Sequence, residues 1–214
     1  MIRHTPMKLL VLGATGPTGR HLVDLALDAG DTVTVLARRP EALEEMASRV
    51  DVVAGDATSH ADVTKAVAGQ DVVISALGRS TSVRADDLFT RAAAAVLGAA
   101  GEQGVSRLVW LSSFGVGDTY RSASVAQKVI YRTLLRNVYA NKELSERMIR
   151  AGGLDWTLVY PTKLTQGPAE GRYRVGERLP MKGNPTISRA DVADFLYKAA
   201  RDPEWIHRDA VITD

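Results

Sequence analysis

Residues 8–19 read KLLVLGATGPTG, an apolar run from Lys8 to Leu12 that leads into Gly13, Gly16 and Gly19. The glycine spacing is G-x-x-G-x-x-G, and the apolar periodicity after it predicts a helix. Gly13 allows a sharp turn at the strand end, Gly16 allows close approach to a pyrophosphate, and Gly19 allows the helix to pack on the strand. The stretch therefore predicts nucleotide binding at a helix N-terminus. A tight turn with helix packing and no ligand is the alternative.

The composition is that of one globular domain. The chain has 214 residues, of which 45% are hydrophobic and 24% charged, and we expect a loose N-terminus over 1–7 and one domain over 8–214. A net charge of +2, with both signs interspersed, predicts no nucleic-acid partner. No cysteine is present and the four histidines are dispersed, so no metal site is expected. No long apolar run occurs, which predicts a cytoplasmic protein without membrane contact.

Apolar strand-like runs alternate with helix-like segments along the chain. Predicted strands cover residues 9–12, 32–36, 50–54, 72–76, 108–111 and 156–160, with an edge strand over 209–212. Predicted helices cover residues 19–29, 40–47, 61–67, 86–103, 125–150 and 189–200, the last of them capped by Ser188. This alternation is typical of an α/β, Rossmann-type, doubly wound parallel sheet. Longer segments over 79–85, 114–124 and 162–185 follow strand ends, where we expect the site.

Two arginines follow the second predicted strand. A dinucleotide site for NAD usually has a carboxylate there, which binds the ribose 2′-hydroxyl. Arg38 and Arg39 stand there instead, and a guanidinium group binds a 2′-phosphate through charge-assisted hydrogen bonds. The pattern therefore favours NADP(H) over NAD(H). The alternative is that one or both arginines are solvated residues at a strand end.

Small and polar residues follow the third and fourth predicted strands. Asp56 meets an adenine edge or caps the next segment. Small residues after the fourth strand let the backbone lie close to the cofactor. The predicted cofactor-binding residues, including those at the ends of the fifth and sixth strands, are Gly13, Thr15, Gly16, Pro17, Thr18, Gly19, Arg38, Arg39, Asp56, Ala57, Ala76, Leu77, Gly78, Ser112 and Pro161.

Five stretches together resemble the atypical short-chain dehydrogenases, and within them most of all the biliverdin reductase B and flavin reductase group, with NmrA-like proteins as neighbours. The stretches are 13–19 (GATGPTG), 33–38 (VTVLAR), 55–56 (GD), 62–71 (DVTKAVAGQD) and 153–156 (GLDW). The resemblance covers nearly the whole chain. It implies that Arg38 meets the 2′-phosphate of NADP(H), in agreement with the charge argument.

The residues for chemistry depart from the general short-chain dehydrogenase pattern, which has a serine after the fifth strand and a tyrosine four residues before a lysine. Ser113 and Lys142 match the serine and the lysine, but Val138 stands at the tyrosine position. Tyr139 is offset by one residue, which turns its side chain by about 100° around a helix. We expect Ser113 to contact substrate or to cap the strand end. Lys142 is either a catalytic residue or a solvated helix lysine.

The resemblance implies hydride transfer without the tyrosine, because the biliverdin and flavin reductase group also lacks it. Such a reaction depends on stacking the acceptor against the nicotinamide more than on a positioned acid. The sequence therefore predicts an NADPH-dependent oxidoreductase that reduces a planar conjugated acceptor such as a flavin or a quinone. A non-catalytic NADP(H)-sensing regulator of the NmrA-like type is the alternative.

Overall fold

The computed structural model describes residues 5–78, 87–122, 133, 136–181 and 183–214. The strands in these ranges are β1 Lys8–Leu12, β2 Thr32–Ala37, β3 Asp51–Ala54, β4 Val72–Ser75, β5 Arg107–Leu111, β6 Asp155–Pro161, β7 Lys163–Thr165, β8 Arg174–Gly176, β9 Thr186–Ser188 and β10 Arg208–Thr213. The α-helices are α1 Pro17–Asp28, α2 His60–Val67, α3 Leu88–Gln103, α4 Arg136–Ala151 and α5 Arg189–Arg201. Short 3-10 helices cover Pro40–Met46, Gly117–Ser122 and Pro203–Trp205.

The main sheet has eight strands in the order β3-β2-β1-β4-β5-β6-β10-β8, and all of its pairs are parallel except β10 with β8. The central strands are almost entirely buried and mostly apolar, as expected of strands covered on both faces. Residues of α1 and α5 join the core on one face, and residues of α2, α3 and α4 join the core on the other. The α/β, Rossmann-type, doubly wound architecture predicted from the sequence is thereby confirmed.

The winding direction reverses at β1, which pairs with β2 on one side and with β4 on the other. Two crossovers that leave a sheet in opposite directions open a crevice at the carboxyl ends of their strands. The glycine loop lies at this end of β1, because it connects β1 to the N-terminus of α1. The fold therefore places the predicted nucleotide site at the switch point of the sheet.

Three parts of the chain differ from the sequence prediction. The segment over 209–212 was predicted as an edge strand, but β10 lies between β6 and β8, and β8 forms the edge. The predicted loop over 162–185 contains β7 and β8, which are only three residues long and carry no apolar run. The predicted helix over 40–47 is a 3-10 helix. The predicted segment over 79–85 and the first part of the predicted helix over 125–150 lie outside the described residues.

Helix capping follows the prediction for the last helix. The backbone N–H of Asp191 donates to the Ser188 hydroxyl at 2.9 Å, so Ser188 is the N-cap of α5.

Within the described ranges, no helix is both long enough and apolar enough to cross a membrane.

Candidate active site

Two of the three loop glycines are required by the fold itself. Gly13 has φ +86°, and a Cβ built on it would lie 2.7 Å from the carbonyl oxygen of Ala76. A Cβ on Gly19 would lie 2.2 Å from the carbonyl oxygen of Gly13. Both distances are too short for any side chain, so these two glycines allow the turn and the packing of α1 against it.

Gly16 differs, because no described residue lies close enough to require a glycine there. Its φ is −81°, and a Cβ would meet no protein atom closer than the carbonyl oxygen of Gly13 at 3.4 Å. Gly16 is the N-cap of α1, where no side chain caps the helix and no acidic residue occurs in the first turn. The first N–H groups of α1 and its positive dipole end are thus open to an anion. This arrangement fits a pyrophosphate.

The rest of the predicted phosphate and ribose contacts surround this loop. Thr15 and Pro17 are exposed, whereas Thr18 is buried. The N–H of Ala76 donates to the carbonyl of Leu12 at 2.8 Å, so the chain continues beside the glycine loop through Leu77 to the exposed Gly78. Loop and strand end therefore form one continuous backbone surface. The structure brings these predicted residues together.

Arg38 and Arg39 are exposed at the end of β2. In the part of the chain that the structure describes, neither guanidinium has a carboxylate within 4.0 Å. Among these described residues, both cations are therefore without a direct ion pair that would compete with a phosphate. This is the arrangement expected of a phosphate-binding pair, and it lies beside the same crevice.

Asp56 forms a local turn, whereas the N-cap of the next helix, α2, is Ser59, and contact of Asp56 with an adenine edge stays a prediction. Its carboxylate accepts a hydrogen bond from the N–H of Thr58 at 2.8 Å. Burial alone would raise the pKa of Asp56, but the hydrogen bonds of Thr58 and the charges of Arg38 and Arg91 bring the pKa below its usual value. Arg91, exposed on α3, was not predicted. Arg91 is therefore a third cation near Asp56, in addition to Arg38 and Arg39. Ala57, the residue after Asp56, is buried.

The lysine of the candidate chemical centre is buried. Lys142 is 7% exposed, its Nζ donates to the Ser113 hydroxyl at 2.8 Å, and it lies 4.8 Å from the ring centre of Phe89. Burial lowers the pKa of Lys142 to about 8, although the charge of Glu146 acts in the opposite direction. The solvated-lysine alternative is therefore wrong. At neutral pH Lys142 is therefore mainly an ammonium group, and its hydrogen-bond partner is the hydroxyl of Ser113.

Ser113 is held by backbone pairing on both sides. The N–H of Ser112 donates to the carbonyl of Val159 at 2.7 Å, and the N–H of Phe114 donates to the carbonyl of Pro161 at 3.0 Å. These bonds continue the β5–β6 ladder beyond β5, and they also fix Pro161 next to the serines. Ser113 therefore has a defined position at the strand end, partly open to the crevice.

Ser112 was predicted to bind the cofactor, but its side chain faces the interior. It is 3% exposed, and its hydroxyl donates to the carboxylate of Glu146. A buried hydroxyl must find a partner inside the protein, and here that partner is a charged group on α4. Only the backbone of Ser112 remains available to a cofactor.

Tyr139 lies closer to the serines than its helical offset predicted. Its hydroxyl donates to the carbonyl of Phe114 at 3.2 Å, so the phenol proton is directed to the backbone one residue beyond Ser113. Val138, at the usual tyrosine position, packs against the core beneath β5 and β6. No phenol lies at the usual position relative to Lys142, as the sequence predicted.

A groove of about 470 Å³ lies near these groups, on the face of the sheet that carries α4. Its apolar lining includes Phe114, Leu179 and Val211, and its charged lining includes Asp118 and Arg178. This volume lies within the range of about 300–1,000 Å³ that ligand pockets occupy. Phe114 directly follows Ser113, but Ser113 and Lys142 do not line the groove, whose other lining residues include Trp156 and Arg208.

Fold and glycine loop together define a dinucleotide-binding protein of the Rossmann type. The chain belongs to the NAD(P)H-binding protein family, whose match covers residues 13–203. Its resemblance to the NmrA-like, atypical short-chain dehydrogenases is thereby confirmed. This membership supports a nicotinamide cofactor, and the reductases among the relatives support the oxidoreductase class.

Several relatives are named reductases. An isoflavone reductase from Glycine max is 26% identical over 94% of this chain and 68% of its own length. The (4-alkanoyl-5-oxo-2,5-dihydrofuran-3-yl)methyl phosphate reductase from Streptomyces griseus is 35% identical over 87% of this chain, which spans 59% of that protein. The solved structure of ChuY, an anaerobillin reductase from Escherichia coli O157:H7, has a TM-score of 0.81 and 25% identity, with 96% of each chain covered.

Proposed function

We propose that the protein is an NADPH-dependent reductase that transfers a hydride to a planar conjugated acceptor such as a flavin or a quinone. The observation that carries this proposal is the buried Lys142–Ser113 pair at the end of β5, with Val138 where a phenol acid would stand. A delocalised acceptor spreads the charge that hydride transfer places on it. It therefore needs correct stacking and a modest proton donor more than a positioned phenol.

The residues at the switch point fit a nicotinamide dinucleotide. The open N-terminus of α1 and the unfilled space at Gly16 suit the pyrophosphate, and Arg38 with Arg39 suits a 2′-phosphate. When bound, the cofactor supplies the hydride. The backbone of residues 76–78 and Pro161 then limits where the rest of the dinucleotide can lie.

Lys142 and Ser113 would supply the proton that accompanies the hydride. The ammonium donates to the Ser113 hydroxyl, and that hydroxyl can donate to an oxygen or nitrogen of the acceptor. A proton passing from Lys142 through Ser113 completes the reaction of NADPH, acceptor and one proton to NADP⁺ and reduced acceptor. With a pKa of about 8, Lys142 is protonated at neutral pH and can still release its proton.

The groove that begins at Phe114 offers space for the part of the acceptor that extends beyond the reacting ring. Its apolar floor suits a flat aromatic body, and the mixture of acidic and basic side chains around it suits a polar rim. The acceptor would then stack at the crevice and extend along the face of the sheet.

Arg38→Ala is expected to cost about 1.5–3 kcal/mol of NADPH binding free energy, the typical contribution of a hydrogen bond to a charged group. NADH lacks the 2′-phosphate, so its affinity should change little. Titration of both cofactors measures the difference, with Arg147→Ala as the control for an exposed arginine outside the predicted cofactor site. Equal losses for NADPH and NADH in Arg38→Ala would contradict the assignment.

Tyr139→Phe is expected to change kcat/KM by less than about threefold, because a required acid typically contributes about 10²–10⁴-fold and this phenol is directed to a backbone carbonyl. Ser113→Ala should lose more, since it removes the hydroxyl between Lys142 and the acceptor. Steady-state kinetics with one acceptor compare the two. A thousandfold loss of kcat/KM in Tyr139→Phe, with cofactor affinity unchanged, would contradict this proposal. It would indicate that Tyr139 is the proton donor of an ordinary carbonyl reductase.

The direct test is a screen of flavins, quinones and tetrapyrroles with NADPH, monitored by the loss of nicotinamide absorbance. We expect acceptor-dependent oxidation of NADPH with at least one of these compounds. Tight NADPH binding without oxidation by any of them would instead favour an NADP(H)-sensing regulator.

A further inference from the structure

The face of α4 that packs on the sheet is polar. Asn141, Lys142, Ser145 and Glu146 are all buried there, with Ile149 as the one buried apolar residue of the helix. Glu146 is 1% exposed and stands one helical turn after Lys142, on the same side of the helix. A carboxylate in such a place is costly unless its surroundings hold it.

Glu146 is held by donors from three elements. The hydroxyls of Ser112, after β5, and Tyr160, on β6, both donate to it, the second at 2.9 Å. Arg150 of α4 lies 3.7 Å from Glu146 and is itself bound to Asp209 of β10 at 2.7 Å. Because Tyr160 accepts an N–H of Arg150 at 2.9 Å, its own proton is free to go to Glu146. Burial raises the pKa of Glu146 above its usual value, and the hydrogen bonds of Ser112 and Tyr160 with the charges of Arg150 and Lys142 oppose that rise, so these neighbours favour the ionised carboxylate.

The segment after β5 closes over this carboxylate. Gly117 has φ +55°, and a Cβ on it would lie 3.3 Å from Oε2 of Glu146. Water is thus kept away from Glu146 on the side of this segment. Where water is excluded, the effective dielectric constant is low, and a fixed charge acts on its neighbours more strongly than it would in water.

We propose that Glu146 is a positioning residue that keeps Lys142 cationic and fixes the strand end that carries Ser113. The catalytic consequence rests on the proposed function, whereas the electrostatic effect does not. Ser112 connects the two, because its hydroxyl donates to Glu146 and it directly precedes Ser113.

Among the residues that the structure describes, few other charged groups face Lys142. On the side of α3 it meets the ring of Phe89, and Asp87, which precedes that helix, is bound by Asn141. From the end of β5 it meets the hydroxyl of Ser113. β6 presents the neutral Tyr160, and Asp209 of β10 is bound to Arg150. Burial lowers the pKa of Lys142 to about 8, and the Glu146 charge opposes that effect. Removing this charge must therefore lower the pKa of Lys142 further.

The test is Glu146→Gln, which keeps the size and a hydrogen-bond acceptor but removes the charge. We expect the pKa of Lys142 to fall by about one unit, the lower end of the effect of an opposite charge nearby. Nuclear magnetic resonance of ¹³C-labelled lysine side chains measures this value without any turnover, with Lys142→Arg as the assignment standard. In an active enzyme, the alkaline limb of the kcat/KM profile should move down by the same amount.

Glu143→Gln is the matched control. Glu143 is on the same helix next to Lys142, but it is partly exposed and pairs with Arg147 at 2.6 Å. A solvated charge of this kind contributes little, so the pKa of Lys142 should stay at its wild-type value. Glu146→Asp keeps the charge, so its Lys142 pKa should lie closer to the wild-type value than that of Glu146→Gln.

An unchanged Lys142 pKa in folded Glu146→Gln would overturn the proposal. If that variant does not fold, Glu146→Met provides the second test, since it fills a similar volume, removes the charge and should also lower the Lys142 pKa. No change there would equally contradict the proposal. A shifted Lys142 pKa in a protein that reduces no acceptor would support the role of Glu146 and count against the proposed reductase activity alone.

Discussion

Replacing Gly16 by valine is expected to weaken the binding of both NADPH and NADH at least about 100-fold, while the chain still folds. Two charge-assisted hydrogen bonds to the pyrophosphate, at about 1.5 kcal/mol each, already account for that loss. The valine side chain would occupy the space in which the phosphates approach the backbone. Because a Cβ at Gly16 meets only one protein atom, at 3.4 Å, the fold itself has little reason to change.

Circular dichroism, thermal unfolding and cofactor titration of Gly16→Val test this expectation together. The loss of a favourable N-cap residue should cost about 1 kcal/mol of stability or less. Gly19→Val is the contrasting variant, since its Cβ would lie 2.2 Å from a backbone oxygen and should prevent normal packing of α1. Folded Gly16→Val with wild-type affinity for NADPH would show that the loop glycines serve packing alone.

Lys142→Met should lower kcat/KM for the best acceptor by about 10²–10⁴-fold, the usual contribution of a positioned proton donor. Methionine fills a similar volume beside Phe89 but can neither donate to Ser113 nor carry a charge. The free energy of unfolding should not fall much, because the variant also removes the cost of a buried ammonium. Steady-state kinetics and cofactor titration separate the loss of chemistry from a loss of binding.

Lys65→Met is the control for this experiment, because Lys65 is an exposed lysine in the last turn of α2. It should retain wild-type kinetics. Activity of Lys142→Met within about threefold of the wild type would mean that the buried lysine supports only the structure, since a required donor contributes far more.

The cofactor side of the site could be predicted from the sequence because its determinants are local. Gly13, Gly16 and Gly19 lie within seven residues, and Arg38 directly follows β2. The order of strands around β1 follows from the alternation of strands and helices, which allows few topologies. The edge of the sheet could not be predicted in this way. β8 is three residues long with little apolar character, and it pairs with β10, more than 30 residues further along the chain.

The chemical side depends on contacts between distant residues. Glu146 meets Ser112 and Tyr160 from two different strands, and no spacing in the sequence indicates these pairs. Apolar periodicity assigns charged residues to the solvent, which is why Lys142 allowed two interpretations. One signal was available. The segment over 136–151 has too few apolar residues to cover a sheet, so polar residues had to be buried there.

Single-turnover oxidation of bound NADPH is the measurement that tests hydride transfer most directly. The protein is mixed with the best acceptor of the screen, and the nicotinamide absorbance is followed with NADPH deuterated at one or the other C4 position. We predict a decay that requires the acceptor and is slowed by deuterium at only one of the two positions. An absorbance that persists with every acceptor, while NADPH remains tightly bound, would contradict the proposed reductase.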